Sequence, residues 1–419
     1  MAFFVNNKNV GCPIFVKSDE ILVPNPIFSE NGSSSVFDKI KCEFRVEETS
    51  AEKAKFNLKN KDSKLKQNSI TSASLSNCGK YICACDSNNC LHLWEHEESN
   101  WKILSVRPLT RKCQKAIFTN SSANIILCDR GGDVFDYSVS KCEESGNLIL
   151  GHISLILDIS ISNDDKYLAT CDRDGKIRIS CYPNSYNILS YCLGHQEFVS
   201  SIQFIQLAEE ILLSGSGDGS IRLWKYKNNG LQFKCVSLQE NDILCKACNV
   251  QNEAEIKAKL NHEVSEKLVL SDKQVLFSVR CVKYSQEHQL LAVIFHLQPI
   301  IAIYKILNDS DDSLNFQQFI SLDAPPVDAV FMNNGQLLIL IKSTSVSVKC
   351  FDYEVENQKF IPIADNDSVA VLKAVQDFYN DFENIHFQDD FVSLFKRVYE
   401  NNNEDEDCND VQKKKNKTE

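Results

Sequence analysis

The feature that most limits what this chain can fold into is a spacing. Four segments, Tyr81 to Trp94, Ile125 to Tyr137, Tyr167 to Ser180 and Ile211 to Trp224, share one design: a short apolar run, a polar turn, then an alternating strand. Their last residues, at 94, 137, 180 and 224, are separated by 43, 43 and 44 positions. Eight positions before each anchor stand Asp86, Asp129, Asp172 and Ser216, and six before it Asn88, Gly131, Asp174 and Asp218. These residue types cap or tolerate the tight turn between paired strands. Two later segments, Leu290 to Tyr304 and Leu337 to Lys349, continue the pattern less cleanly and end 45 residues apart.

A period near 43 with a four-strand pattern, together with Gly-His pairs at 151-152 and 194-195, marks an all-β WD40-type β-propeller. Six repeats are legible from Ile70 onward. The apolar stretches Pro13 to Val16 and Ile21 to Val23 predict a seventh blade from the first 38 or so residues, because an unclosed ring would expose a sheet edge. In the strongest repeat, His195, a hydroxyl from Ser214 or Ser216, Asp218 and Trp224 are expected to form a buried hydrogen-bonded chain, a structural device and not a catalytic dyad.

Composition narrows the function. Among 419 residues, 57 are acidic and 45 basic, a net charge of -12 that argues against a primary nucleic-acid binder. The 18 cysteines are scattered without framework spacing and read as buried thiols of a reducing compartment. The N-terminus has no secretory pattern, and the longest apolar runs, Leu337 to Ile341 and Leu290 to Phe295, fall far short of the ~20 residues a membrane-spanning helix needs.

The propeller is expected over 1–367, with two insertions. The basic one, 41–67, carries Lys53, Lys55, Lys59, Lys61, Lys64 and Lys66, candidates for RNA phosphate contacts against the bland alternative of a solvated loop. The second, 239–273, holds a stretch of helical apolar spacing and Cys245-Lys-Ala-Cys248, which lacks the second ligand pair that zinc requires. Apolar residues at three- and four-residue spacing predict a helical segment over 368–400 that packs on the propeller or receives a partner. The charged end, 401–419, reads as disordered, and its lysines at 413–415 and 417 as a weak nuclear-import signal. Gly215-Ser-Gly217-Asp-Gly219 is no cofactor loop, because it leads into the alternating strand Ser220 to Trp224 where a nucleotide-binding turn would open a helix. No Walker loop, metalloprotease or serine-nucleophile motif is present, so no catalytic, cofactor or metal residue is expected.

The third and fourth counted repeats are more specific than the generic pattern. Gly151 to Ser160, then Lys166 to Pro183 with its Asp-Arg-Asp-Gly-Lys-Ile-Arg core, then Leu193-Gly-His-Gln-Glu-Phe-Val-Ser200, then Leu212 to Trp224, resemble the WD-repeat non-catalytic subunit of tRNA (guanine-N7)-methyltransferase. The resemblance implies a heterodimer: a separate catalytic subunit that binds S-adenosylmethionine and methylates a guanosine in the tRNA variable loop, supported by this chain. It also implies a nuclear place, shared or not with the cytoplasm. Carried onto this sequence, the interface candidates are Arg173, Lys176, Arg178, Glu197 and Phe198. Lys176 and Arg178 alternate with Ile177 and Ile179, which predicts both cations on the face opposite the isoleucines. Against this, Arg222 fills the column of Arg178 in the next repeat, and Phe198 suits either an interface anchor or the cover of its own blade. Two departures stand out: Gly175, where many relatives carry an acidic residue that would pair with Arg178, and Ser180, where an aromatic closes other repeats. The competing reading is a general WD40 interaction platform, such as a ubiquitin-ligase substrate adaptor.

Overall fold

Each repeat folds as the spacing predicts, and the period becomes a distance in space. In the computed structural model, the described residues are 2–5, 13–24, 37–42, 69–97, 100–237, 277–296, 298–307, 314–342, 346–363, 370–380 and 394. They form seven antiparallel sheets of four strands, each made of consecutive strands. Blade 1 begins with Ala2–Val5 and ends with Phe37–Lys41, and blade 7 begins with Pro326–Phe331 and ends with Lys359–Pro362. Residues about one period apart hydrogen-bond between blades: Asn77 to Asn120, Ser72 to Ala116, Asp158 to Ile202 and Ser160 to Phe204.

The turn column explains itself. The Asp86 carboxylate accepts the amides of Asn88 and Cys90, Asp129 those of Gly131 and Asp133, and Asp172 those of Asp174 and Lys176, each at 2.7–3.0 Å. In blade 5 the Ser216 hydroxyl takes the amide of Asp218 at 3.1 Å. A short acceptor eight residues before the anchor thus closes the hairpin in every regular repeat. Gly132 and Gly175, one period apart, both have positive φ, at 92° and 81°. A Cβ at either would lie within 3 Å of a carbonyl oxygen in the following blade's Gly-His loop, so a larger residue at Gly175 would meet both strain and a collision.

The innermost strands line a central channel where Lys115 pairs with Asp158 at 2.5 Å and Lys283 with Asp328 at 2.9 Å. The apolar core lies between blades, and its largest cluster spans blades 4, 5 and 6 through Ile177, Ile179, Phe204, Trp224, Tyr226 and Tyr304. The eleven-residue helix Ala370–Asn380 straps the seam between the two ends of the chain. Its Val375, Phe378 and Tyr379 join Phe15, Leu22 and Phe37 of blade 1 and Leu338, Leu340 and Val348 of blade 7 in one cluster. Tyr379 Oη donates to the Val16 carbonyl at 3.1 Å, Lys17 Nζ donates to the Phe378 carbonyl at 2.6 Å, and the Gln376 side chain accepts the Val348 amide. The helical segment therefore packs on the propeller over 370–380. The basic insertion with its six lysines, the insertion around Cys245 and Cys248, and the tail 401–419 lie outside the described residues, and no described helix is long and apolar enough to cross a membrane.

The first 41 residues supply a whole blade, which moves the third and fourth counted repeats to blades 4 and 5. Blade 1 reads weakly in the sequence because it lacks both the Asp column and the closing aromatic. Its strand Ile14–Lys17 is buried along its whole length, so alternation is lost there.

Candidate partner interface

Blade 5 shows what a complete repeat does with its polar side chains. His195 Nδ1 meets Asp218 Oδ2 at 3.0 Å, His195 Nε2 meets Ser214 Oγ at 2.7 Å, and Trp224 Nε1 donates to the same Ser214 Oγ at 2.8 Å. Ser220 Oγ adds a bond to Asp218 Oδ1 at 2.6 Å. All five side chains are buried. Burial lowers the His195 pKa, only partly offset by Asp218, so the ring is held neutral. Against the desolvation of burial, hydrogen bonds from His195, Ser220 and the Gln196 amide hold the Asp218 carboxyl well below its usual range. Satisfied on every side and covered, this network ties strands together and presents nothing to a substrate.

Blade 4 begins the same way and ends differently. His152 Nδ1 meets Asp172 Oδ2 at 3.1 Å and Nε2 meets Thr170 Oγ1 at 2.8 Å. The closing indole is replaced by Ser180, whose Oγ accepts Arg178 Nε at 2.9 Å. Arg178 Nη2 donates to the Ser185 carbonyl at 2.8 Å and Nη1 reaches the Gly151 carbonyl at 3.4 Å. These neutral acceptors fix the guanidinium and leave its charge uncompensated, for among the described residues no carboxylate pairs with it. The equivalent Arg222 lies 3.8 Å from Asp218 and donates to Gln232 at 2.6 Å.

Around Arg178 the surface is apolar. Tyr191, exposed, sits directly opposite it on the outer strand Ile188–Cys192. Tyr186 follows Ser185, Ile153 lies two residues past Gly151, Ile188 opens the strand and Leu193 follows it; all are exposed. Lys176 is exposed at the start of the same strand pair, with no ionic partner among the described residues, while Ile177 and Ile179 are fully buried. Together these groups form a cationic, aromatic-rich patch of the kind that anchors a protein partner, with two positive charges placed for its carboxylates. Tyr182 clamps the patch to blade 3: its hydroxyl donates to Asp136 at 2.8 Å and accepts from Asn124 at 3.1 Å.

The other candidates fall elsewhere. Arg173 is half-buried and donates from Nε to the Leu394 carbonyl at 3.1 Å, so a residue of the C-terminal segment already rests on it. Phe198 is corrected from surface to core. It is fully buried, and its ring packs on Gly217, where a Cβ would stand 2.4 Å from it. Glu197 is buried too, its carbonyl accepting the Ser216 hydroxyl, and is no exposed anchor. Both belong to the loop entering blade 5, which the following hairpin covers. Asp172 and Asp174 shape the turn, Asp172 by accepting two amides and the His152 ring. The exposed aromatics were missed from sequence. Their signal was the stretch from Tyr186 to Leu193 around the outer strand, apolar in both phases where a rim strand has one face in water.

The family described as the tRNA methyltransferase TRM82 WD40 domain matches residues 140–360, and a WD domain, G-beta repeat family matches 61–95. The chain is 30% identical over 334 residues to the tRNA (guanine-N(7)-)-methyltransferase non-catalytic subunit wdr4 of Xenopus laevis, covering 79% of this chain and 77% of that one. It is 40% identical over 197 residues to the subunit of the same description, WDR4, in Homo sapiens, covering 46% of this chain and 47% of that protein. It is 41% identical over 136 residues to the subunit named wuho in Drosophila melanogaster, covering 32% of each. Among solved structures, a chain of the mitotic checkpoint complex superposes with a TM-score of 0.57 over 87% of each chain at 12% identity, a likeness of fold alone.

Proposed function

Because the chain belongs to the tRNA methyltransferase TRM82 WD40 domain family, we propose that it acts as the non-catalytic subunit of a tRNA (guanine-N7)-methyltransferase and seats the catalytic subunit on blade 4. The observation that carries the seat is Arg178: half-buried, fixed by three neutral oxygens, uncompensated, and set among exposed Tyr186, Tyr191, Leu193 and Ile153. A rigid cation in a partly desolvated apolar surround attracts a carboxylate at little entropic cost. Lys176 adds a second, flexible charge that steers approach.

On this reading the chain performs no chemistry. S-adenosylmethionine is held by the partner, and the propeller holds that partner, and through it the tRNA, in a competent arrangement in the nucleus. The basic insertion bearing Lys53 to Lys66 is the segment of this chain suited to RNA phosphates.

The test is co-expression with the catalytic subunit, followed by co-purification and assay of N7-methylguanosine in tRNA. Stoichiometric recovery and activity well above that of either chain alone are expected. Recovery of a ubiquitin-ligase scaffold in place of the methyltransferase, or activity unchanged by this chain, rejects the assignment. A complex that forms equally well with Lys176→Glu and Arg178→Glu keeps the function and moves the seat elsewhere.

A further inference from the structure

One buried charge in the propeller has no counter-ion among the described residues, and it lies two blades from the proposed seat. Arg107 sits on the fourth, outermost strand of blade 2, Asn100–Pro108, and is only 4% exposed. Its Nη1 donates to the Ser138 carbonyl at 2.9 Å, and the guanidinium lies 5.2 Å from the centroid of the Tyr137 ring. Nε and Nη2 are buried without a hydrogen-bond partner among the described residues. Two residues earlier on the same strand face, Ser105 Oγ is buried and unpartnered as well. Both side chains line a cavity of about 450 Å³ between blades 2 and 3, bordered by Ile103, Val106, Cys142 and Glu143.

A guanidinium taken out of water without a counter-charge costs more than an apolar side chain of similar shape at the same place. Burial accordingly pushes the Arg107 pKa down, with only thiols and a phenol nearby to offset it. The two unmet donors are not a random pair. Nε and Nη2 form the side-on edge of a guanidinium, whose parallel N–H bonds match the two oxygens of one carboxylate.

We infer that this cavity receives a carboxylate side chain from an extended acidic segment of a partner protein. The carboxylate bonds side-on to Nε and Nη2 of Arg107 and accepts from Ser105. The host strand supports the extended form, since among the described residues it pairs on one side only and leaves its outer edge of main-chain groups open, with Ile103 and Val106 exposed along it. Glu143 on the opposite rim disfavours a phosphate dianion more than a single carboxylate. The donors are covered in the free chain, so the acid reaches them as the rim loop carrying Glu143 shifts outward. This site is separate from blade 4 and does not depend on the methyltransferase reading.

The test uses the full-length chain labelled with nitrogen-15, following the Arg107 Nε–Hε resonance while adding N-acetyl-glutamate α-methylamide, its glutamine analogue, or inorganic phosphate. A saturable shift is expected with the glutamate compound, at least tenfold weaker with phosphate and absent with glutamine, and strengthened several-fold in Glu143→Gln. Arg107→Met should abolish binding of the glutamate compound, followed by calorimetry, while its melting temperature stays level or rises. The Lys176→Glu, Arg178→Glu variant should bind the compound normally. An equal response to the glutamine analogue, or none to the glutamate compound, overturns the inference. So does a stronger response to phosphate. A resonance that moves on Glu143→Gln alone, with no response to added acid, makes Glu143 the internal counter-ion and also overturns it. A fall in the melting temperature of Arg107→Met with acid binding intact makes the arginine structural.

Discussion

Blades 4 and 5 start from nearly the same sequence and do opposite things with it. Each takes a Gly-His loop, a hydroxyl and an aspartate into one hydrogen-bonded chain, His152–Thr170–Asp172 in one and His195–Ser214–Asp218 in the other. Blade 5 finishes the chain with the Trp224 indole and sets Arg222 near Asp218. Blade 4 substitutes Ser180 for the indole and sets that serine on Arg178, whose charge has no carboxylate partner among the described residues. On the proposed reading the difference separates stability from recognition: the same framework is closed in one blade and left open in its neighbour.

The largest effect should come from making blade 5 imitate blade 4. Trp224→Ser removes a fully buried indole and one of the hydrogen bonds to Ser214, and should cost about 3–5 kcal/mol in chemical denaturation. A loss below ~1 kcal/mol would mean that the network contributes little and the comparison fails. The next tests the open side. The pair Lys176→Glu, Arg178→Glu should weaken binding of the catalytic subunit about a hundredfold by titration, near 3 kcal/mol. Its melting temperature should move by no more than ~2 °C, the size expected of surface changes. Arg222→Glu, placed against Asp218, should do the reverse and destabilise the fold while sparing association.

A pH series sharpens the contrast further. The folded-state pKa of His195 lies below its ordinary value of 6.5, so the folded state binds fewer protons than the unfolded one over that interval. Stability is complete above pH 6.5 and declines as pH falls below it, by at most about 1.4 kcal/mol per pH unit. Asp218, also depressed, adds a loss at still lower pH, below the ordinary carboxylate value of 3.8. His195→Gln should flatten the first decline, and a profile identical to the parent would show that this ring does not govern it. The smallest effect is expected of Tyr191→Ala, which should cost about 1 kcal/mol in partner affinity and leave unfolding within ~0.5 kcal/mol of the parent.

What the sequence disclosed follows the same division. The period, the turn aspartates and the His195 network were readable because they are local or recur at a fixed spacing. The alternation of Lys176 and Arg178 with buried isoleucines was readable for the same reason. Phe198 was not, because its burial is decided by a glycine in the next hairpin, nineteen positions on, that leaves room for the ring. Tyr191 and Tyr186 look like core residues until the strand Ile188–Cys192, and the turn that leads into it, are known to be the outer edge of the blade. Arg107 gave no sign at all: an arginine on a rim strand reads as solvated, and only the packing of blade 3 over it reveals a missing counter-charge.

The seam between blades 1 and 7 has a consequence for how the chain is made. Among the described residues no sheet mixes strands from blades 1 and 7, and a helix that ends at Asn380 bridges them, with Lys17 bonded to one of its last carbonyls. On the ribosome, blade 1 is translated before the other six blades, yet its covering helix, Ala370–Asn380, emerges only after the last of them. A stop codon or protease cut just before residue 370 would therefore be felt most in blade 1, synthesised ahead of the other six.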